Sequence, residues 1–135
     1  MGRALNVLGW IGYAATVAVA FATGWHDDIL TFAGAAGGAK ATLWIVWLGF
    51  LAYSIHCARH ENLFRTVGLV GRYFWGRQIC ADLYISATLS LAVIHLHSAD
   101  LVVTLLWVLP VLFYVNLAIL VYVLIHFEQL IAHFA

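Results

Sequence analysis

Histidines are the residues of this chain whose type best suits chemistry, and there are seven of them. His56 and His60 are four positions apart, which places both imidazoles on one face of a helix and suits shared metal binding. His126 or His133, farther along the chain, could complete such a site with a carboxylate, and we assign His126 to it. Histidine with carboxylate ligands suits iron or zinc, and imidazoles from two helices suit axial ligation of haem b. The sequence therefore offers His56, His60 and His126 as a candidate haem or metal site.

The same histidines have a simpler interpretation, because polar side chains are common where a helix leaves a membrane. The dense histidine runs of membrane di-iron oxygenases are missing from the sequence, as are a catalytic serine motif and a nucleotide-binding glycine loop. A role without catalysis is therefore favoured over an enzyme, and no cofactor is required by the pattern.

A second set of polar residues falls inside the apolar segments. An acidic side chain within a membrane span is costly, so it usually has a partner or handles protons. Asp82 is the only charged residue of this set, and it is close enough to a span end for Arg77 or water to reach it. We predict that the set lines a polar path through the membrane; its members are Asp82, Ser86, Ser90 and Asn116.

Composition decides what kind of element positions these residues. The chain of 135 residues is 65% hydrophobic and 9% charged, with a mean hydropathy of +0.99. A soluble domain of this size cannot bury so much apolar surface. The formal net charge of zero makes nucleic acid an improbable partner. We predict an all-α integral membrane protein, in which residues 1–135 form one domain with four transmembrane helices in a bundle.

Hydropathy places the four spans at residues 5–23, 42–58, 79–97 and 101–127. The third span has polar side chains on two opposite sides, so we expect it at the centre of the bundle. The fourth is long for one crossing, because 27 residues of helix extend about 40 Å. It is expected to tilt or to project beyond the membrane, with a kink at Pro110.

The segment between the second and third spans, residues 59–78, predicts a short amphipathic helix in the membrane surface. Its apolar residues recur at helical spacing up to Phe74, while Arg65 and Arg72 project from the other side toward lipid phosphates. Phe74 and Trp75 then form an aromatic contact with the interface just before the third span.

Basic residues predict the orientation. Four crossings place both termini on one side, together with Arg3, Arg59, Arg65, Arg72 and Arg77. Only Lys40 falls on the other side. The positive-inside rule then makes both termini cytoplasmic, and we expect a bacterial cytoplasmic (inner) membrane.

The predicted function is a small accessory or structural subunit of a larger membrane complex. Respiratory and photosynthetic assemblies are the obvious hosts, and the partners are the lipid bilayer with other subunits or further copies of the chain. Small size and little mass outside the membrane favour this interpretation. Two alternatives stay open: a membrane redox protein with histidine-ligated haem or metal, and a small oligomeric channel or transporter that uses Asp82.

Overall fold

The computed structural model describes residues 2–134, and throughout that range its regular structure is helical. A short 3-10 helix spans Asp27–Leu30. The α-helices are α1 (Gly2–Gly24), α2 (Gly37–His60), α3 (Leu63–Val70), α4 (Phe74–Ser98), α5 (Leu101–Ile125) and α6 (Phe127–Phe134). Four of them, α1, α2, α4 and α5, are long and apolar enough to cross a membrane. The all-helical class is confirmed, and the four apolar helices are consistent with an integral membrane protein.

Contacts at the helix ends define two ends of the molecule. Asn62, between α2 and α3, donates a hydrogen bond from Nδ2 to the Gly2 carbonyl at 2.6 Å. The start of α1 therefore lies beside the end of α2, and α4 begins nearby after α3. We call this the Gly2 end. The opposite end contains Gly24, Lys40 and Ser98, and we call it the Lys40 end.

Helix α5 does not cross from one end to the other, because it turns back at Tyr114. The backbone of Tyr114 leaves helical geometry, with φ −128° and ψ 40°. The rings of Trp107 and Tyr122 lie 5.3 Å apart, whereas 15 residues of straight helix would separate them by about 22 Å. A first arm, residues 101–113, therefore enters from the Lys40 end, and a second arm, residues 115–125, returns to it.

Three contacts fix the return. Nε2 of His26, just after α1, donates to the Ile125 carbonyl at 2.8 Å. A Cβ on Gly24 would lie 2.4 Å from the Ile125 side chain. The Lys40 ammonium forms an ion pair with Glu128 on α6. The end of α5 and the start of α6 consequently lie at the Lys40 end.

This path corrects two expectations. Residues 101–127 were predicted as one span with a kink at Pro110, but the chain reverses four residues after the proline and α6 is a separate helix. Both termini were predicted on one side, which required four crossings. The structure places Gly2 and α6 at opposite ends instead.

The second arm of α5 is the most buried helical segment of the structure. In the most apolar 18-residue stretch of α5, half of the residues are buried, whereas in the corresponding stretch of α4 only 11% are buried. The third span was expected at the centre, so this is also corrected: α4 lies outside, and α5 is enclosed because it packs against α1, α2 and α4 together. The buried residues of the second arm are Val115, Leu117, Ala118, Val121, Tyr122, Leu124 and Ile125.

The segment predicted as an amphipathic helix, residues 59–78, does contain a short helix, but it covers only Leu63–Val70. Asn62 caps α3 by accepting a hydrogen bond from the Arg65 amide at 3.2 Å. The helix ends at Val70, and α4 approaches so closely that a Cβ on Gly76 would lie 1.9 Å from the Val70 carbonyl oxygen. The outer parts of the predicted segment belong to α2 and α4.

Candidate functional site

The reversal of α5 leaves the interior of the Gly2 end unfilled. Because the hairpin reaches only part of the way, a cavity of about 460 Å³ remains below its tip. Helices α1, α2 and α3 line it, together with Leu83 of α4 and residues 113–117 of α5. This volume lies within the range of small-molecule sites, about 300–1,000 Å³.

The cavity wall combines aromatic rings with a few polar groups. The aromatic residues are Trp10, Phe50, Tyr53, Phe113 and Tyr114, and the polar side chains are Asn6, Ser54, Glu61, Thr66 and Asn116. Among the described residues that line the cavity, Glu61 alone carries a formal charge. Its Oε2 accepts a hydrogen bond from Thr66 at 3.1 Å.

Asn6 contributes a polar atom that the fold leaves unused. Its Oδ1 is buried, and no described residue donates a hydrogen bond to it. A buried acceptor without a partner costs about 1–3 kcal/mol, so a group that donates to Oδ1 would be stabilised there.

Contacts with α1 and α2 hold the hairpin tip in place above the cavity. The Tyr114 ring packs against Trp10 and Tyr13, with centroids 4.8 and 5.2 Å away. Trp47 Nε1 donates to the Tyr13 hydroxyl at 3.1 Å, and that hydroxyl donates to the Leu117 carbonyl at 3.2 Å. This chain of two hydrogen bonds fixes the start of the second arm against both helices.

The structure separates the predicted polar path into two surfaces. Asn116 lines the cavity. Asp82 and Ser86 are exposed on α4 and are not among the lining residues. The half-buried Ser90 donates its hydroxyl proton to the Ser86 carbonyl at 2.9 Å. The four residues therefore do not form one path within a single copy of the chain.

The histidines of the predicted cofactor site are also divided. The exposed rings of His56 and His60 lie 4.4 Å apart at the Gly2 end. His126 follows α5 at the Lys40 end, because the hairpin turns back. Across residues 2–134, no group of three or more His, Cys, Asp or Glu side chains is arranged to hold a metal.

A different histidine cluster, which the sequence did not indicate, lies at the Lys40 end. The rings of His97 and His126 are 5.1 Å apart, and His97 Nδ1 lies 2.6 Å from the Tyr122 hydroxyl. His26 approaches through the Ile125 carbonyl. Burial lowers the pKa of His126, and the neighbouring His97 and His26 lower it further, against a hydrogen bond with Gln129 that raises it. His126 is therefore held neutral more strongly than an exposed histidine.

Lys40 is the second feature that sequence reasoning missed. Its side chain is only 1% exposed, and its ammonium donates to the Asp28 and Thr31 carbonyls and to Glu128. Burial acts to raise the pKa of Glu128, but the hydrogen bond and charge of Lys40 outweigh it, with help from the Glu128 backbone amide, so the pKa is lowered. The ion pair connects α2 to α6, and only the reversal of α5 brings the two residues together.

The predicted interfacial residues all lie near the Gly2 end. Arg65 and Arg72 are exposed, as are Phe74 and Trp75, at 83% and 77%. The Arg77 guanidinium lies 4.6 Å from the centre of the Phe74 ring. Contact of these side chains with a lipid surface stays a prediction.

Comparison with known proteins gives no match: no family model, no curated protein and no solved structure is significantly similar to the chain.

Proposed function

We propose that this chain is an integral membrane protein that acts as a non-catalytic subunit of a larger membrane assembly. The observation that carries the proposal is Asp82, an acidic side chain exposed on a helix that is long and apolar enough to cross a membrane. A carboxylate in this position needs a partner that a single copy of the chain does not supply.

The depth of Asp82 supports the proposal. It follows Phe74 by eight residues, which is about 12 Å along the α4 axis. Phe74 and Trp75 are exposed, and aromatic side chains of this kind are typical of the membrane interface. Asp82 therefore falls beyond the interfacial aromatics, and its side chain is too short to extend toward water as far as lysine or arginine does. Arg77, the partner that the sequence offered, lies against the Phe74 ring instead. Facing lipid, it would cost several kcal/mol.

The surroundings of Asp82 form a stripe that suits a partner helix. Ser86, Leu89, Val93 and Leu96 share its face of α4, and all are exposed. Helices associate in lipid through close packing and through hydrogen bonds between polar side chains. A neighbouring subunit that donates to Asp82 and packs on the apolar part of this stripe would stabilise both.

Charge supports an orientation for the assembly. The five arginines lie in or beside helix segments of the Gly2 end, whereas Lys40 is at the other end and is buried in an ion pair. The positive-inside rule therefore favours a cytoplasmic Gly2 end, with α6 on the opposite side.

The geometry favours the two alternatives less. A redox site built from His56, His60 and His126 would require residues from both ends of the molecule. An oligomeric channel that uses Asp82 would be lined by its face of α4, and beyond Ser86 that face presents apolar leucine and valine side chains. Asn116 lies on a different surface of the chain.

The test is native mass spectrometry of protein extracted from its own membranes in a mild detergent. We expect the wild-type chain to carry the masses of larger partner chains. Asp82→Leu is expected to remove those masses, while Asp27→Asn, which changes an exposed acid outside the long helices, retains them. A wild-type chain found only as a monomer or homo-oligomer, or an Asp82→Leu complex with unchanged partners, contradicts the proposal.

A further inference from the structure

The cavity at the hairpin tip has a wall suited to one class of small molecule. Five aromatic residues surround it, and its polar atoms include two acceptors, the Asn6 Oδ1 and the Glu61 carboxylate. Neither lysine, arginine nor histidine is found among the described lining residues. We propose that this cavity binds a monovalent organic cation with an apolar body, the cationic group facing Glu61.

Electrostatics selects the sign of the ligand charge. An anion would meet the Glu61 carboxylate without a compensating cation in the described wall. A cation gains from that carboxylate and from the aromatic faces, since a cation over a ring contributes about 0.5–2 kcal/mol. Attraction at close range is also stronger in a partly enclosed cavity than in water.

The position of the polar atoms selects the shape. Glu61 is the residue that follows α2 at the Gly2 end and is exposed, whereas Trp10 and the α5 tip lie deeper along α1 and α5. A ligand with one charged group and one apolar part would therefore place the charge near the end of the bundle and the apolar part under the tip. If the ligand also carries a hydrogen-bond donor, Asn6 Oδ1 is available to accept it.

The fold explains why such a space exists inside a packed bundle. A straight α5 would fill the interior at both ends, but the reversal at Tyr114 fills only the Lys40 end. The hydrogen bonds from Trp47 to Tyr13 and from Tyr13 to Leu117 keep the tip at this depth. The cavity is thus a consequence of the hairpin and does not depend on a neighbouring subunit.

The experiment measures calorimetric binding of benzyltrimethylammonium to the full chain in a nonionic detergent, with benzenesulfonate as the anionic probe of similar size. We expect saturable binding of the cation and none of the anion. Glu61→Gln, which can still accept from Thr66, should weaken binding about tenfold, equivalent to about 1.4 kcal/mol. Asp27→Asn, at the other end of the molecule, should leave the affinity unchanged.

A second variant guards against indirect effects. Ala58 lines the cavity, so Ala58→Phe should abolish binding by filling the space, and an unchanged thermal unfolding midpoint would show that the bundle remains folded. Equal binding of both probes, no saturable binding of the cation, or full affinity in Glu61→Gln would overturn the proposal.

Discussion

The His126 imidazole shows how a single residue couples charge to the position of the hairpin. It follows the last residue of α5, and its ring lies 4.4 Å from the Tyr122 ring and 5.1 Å from that of His97. Burial lowers its pKa from the ordinary value, so the folded protein favours the neutral imidazole over the protonated one. Protonation must therefore oppose the docking of the second arm.

Mild acidification should therefore destabilise the protein. Unfolded histidine has a pKa of about 6.5, and the folded value is lower. As the pH falls through the interval between them, the unfolded chain binds the proton first, so the free energy of unfolding decreases. We expect the thermal unfolding midpoint in detergent to be lower at pH 5.5 than at pH 7.5.

Matched variants isolate the contribution of His126. His126→Gln should show a smaller difference between the two pH values, while His56→Gln, an exposed histidine at the other end, should keep the wild-type difference. The lowered pKa of Glu128 acts in a separate window, because its contribution is lost only below about pH 4.5. An unchanged difference in His126→Gln would show that its protonation does not act on stability.

At the scale of elements, the helices were predictable and the path of α5 was not. Composition and hydropathy are local properties, so the apolar segments could be placed from the sequence alone. The reversal depends on contacts between residues far apart in the chain: Tyr114 packs on Trp10 and Tyr13. Pro110 indicated a break, but the structure keeps it within helical geometry and turns at a tyrosine that carries no turn signal.

The candidate site was predictable only in its separate residues. Asn116 was recognisable as a polar residue in an apolar span, and it does line the cavity. Asn6 comes from α1 and Glu61 from the residue after α2, and the space between them and Asn116 exists because α5 stops short. The His56, His60 and His126 grouping failed to assemble for the same reason, since it assumed that the fourth span runs from the Lys40 end to the Gly2 end.

The junction of α3 and α4 gives a prediction at this scale. A Cβ on Gly76 would lie 1.9 Å from the Val70 carbonyl, which is backbone and cannot move aside cheaply, whereas a Cβ on Gly68 has nothing within 4 Å. Gly76→Ala should therefore destabilise the protein by about 1–3 kcal/mol. Gly68→Ala should stabilise α3 by up to about 1 kcal/mol, because alanine favours helix over glycine.

Chemical unfolding of the two variants in the same detergent measures the difference. Because the substitution is the same in both variants, the environment of each glycine decides whether the free energy of unfolding rises or falls. A Gly76→Ala protein as stable as Gly68→Ala would mean that α3 does not pack against the start of α4 as described.

For the whole molecule, the path of α5 decides which surfaces share a side of the membrane. Because α5 returns, Asp27 and Gln129 lie at the Lys40 end, and Arg65 lies at the Gly2 end. A straight α5 would instead place Gln129 with Arg65. The ion pair between Lys40 and Glu128 and the hydrogen bond between His26 and Ile125 both favour the first arrangement.

Single cysteines distinguish the two arrangements. In a chain whose Cys57 and Cys80 are replaced by alanine, Asp27→Cys, Arg65→Cys and Gln129→Cys each introduce one thiol at an exposed position. In sealed vesicles, a membrane-impermeant maleimide should label positions 27 and 129 from one side and position 65 from the other. Labelling of 129 together with 65 would refute the hairpin, and with it the cavity that depends on it. Labelling as expected would leave the Gly2 end, with its arginines, as the cytoplasmic face by the charge rule.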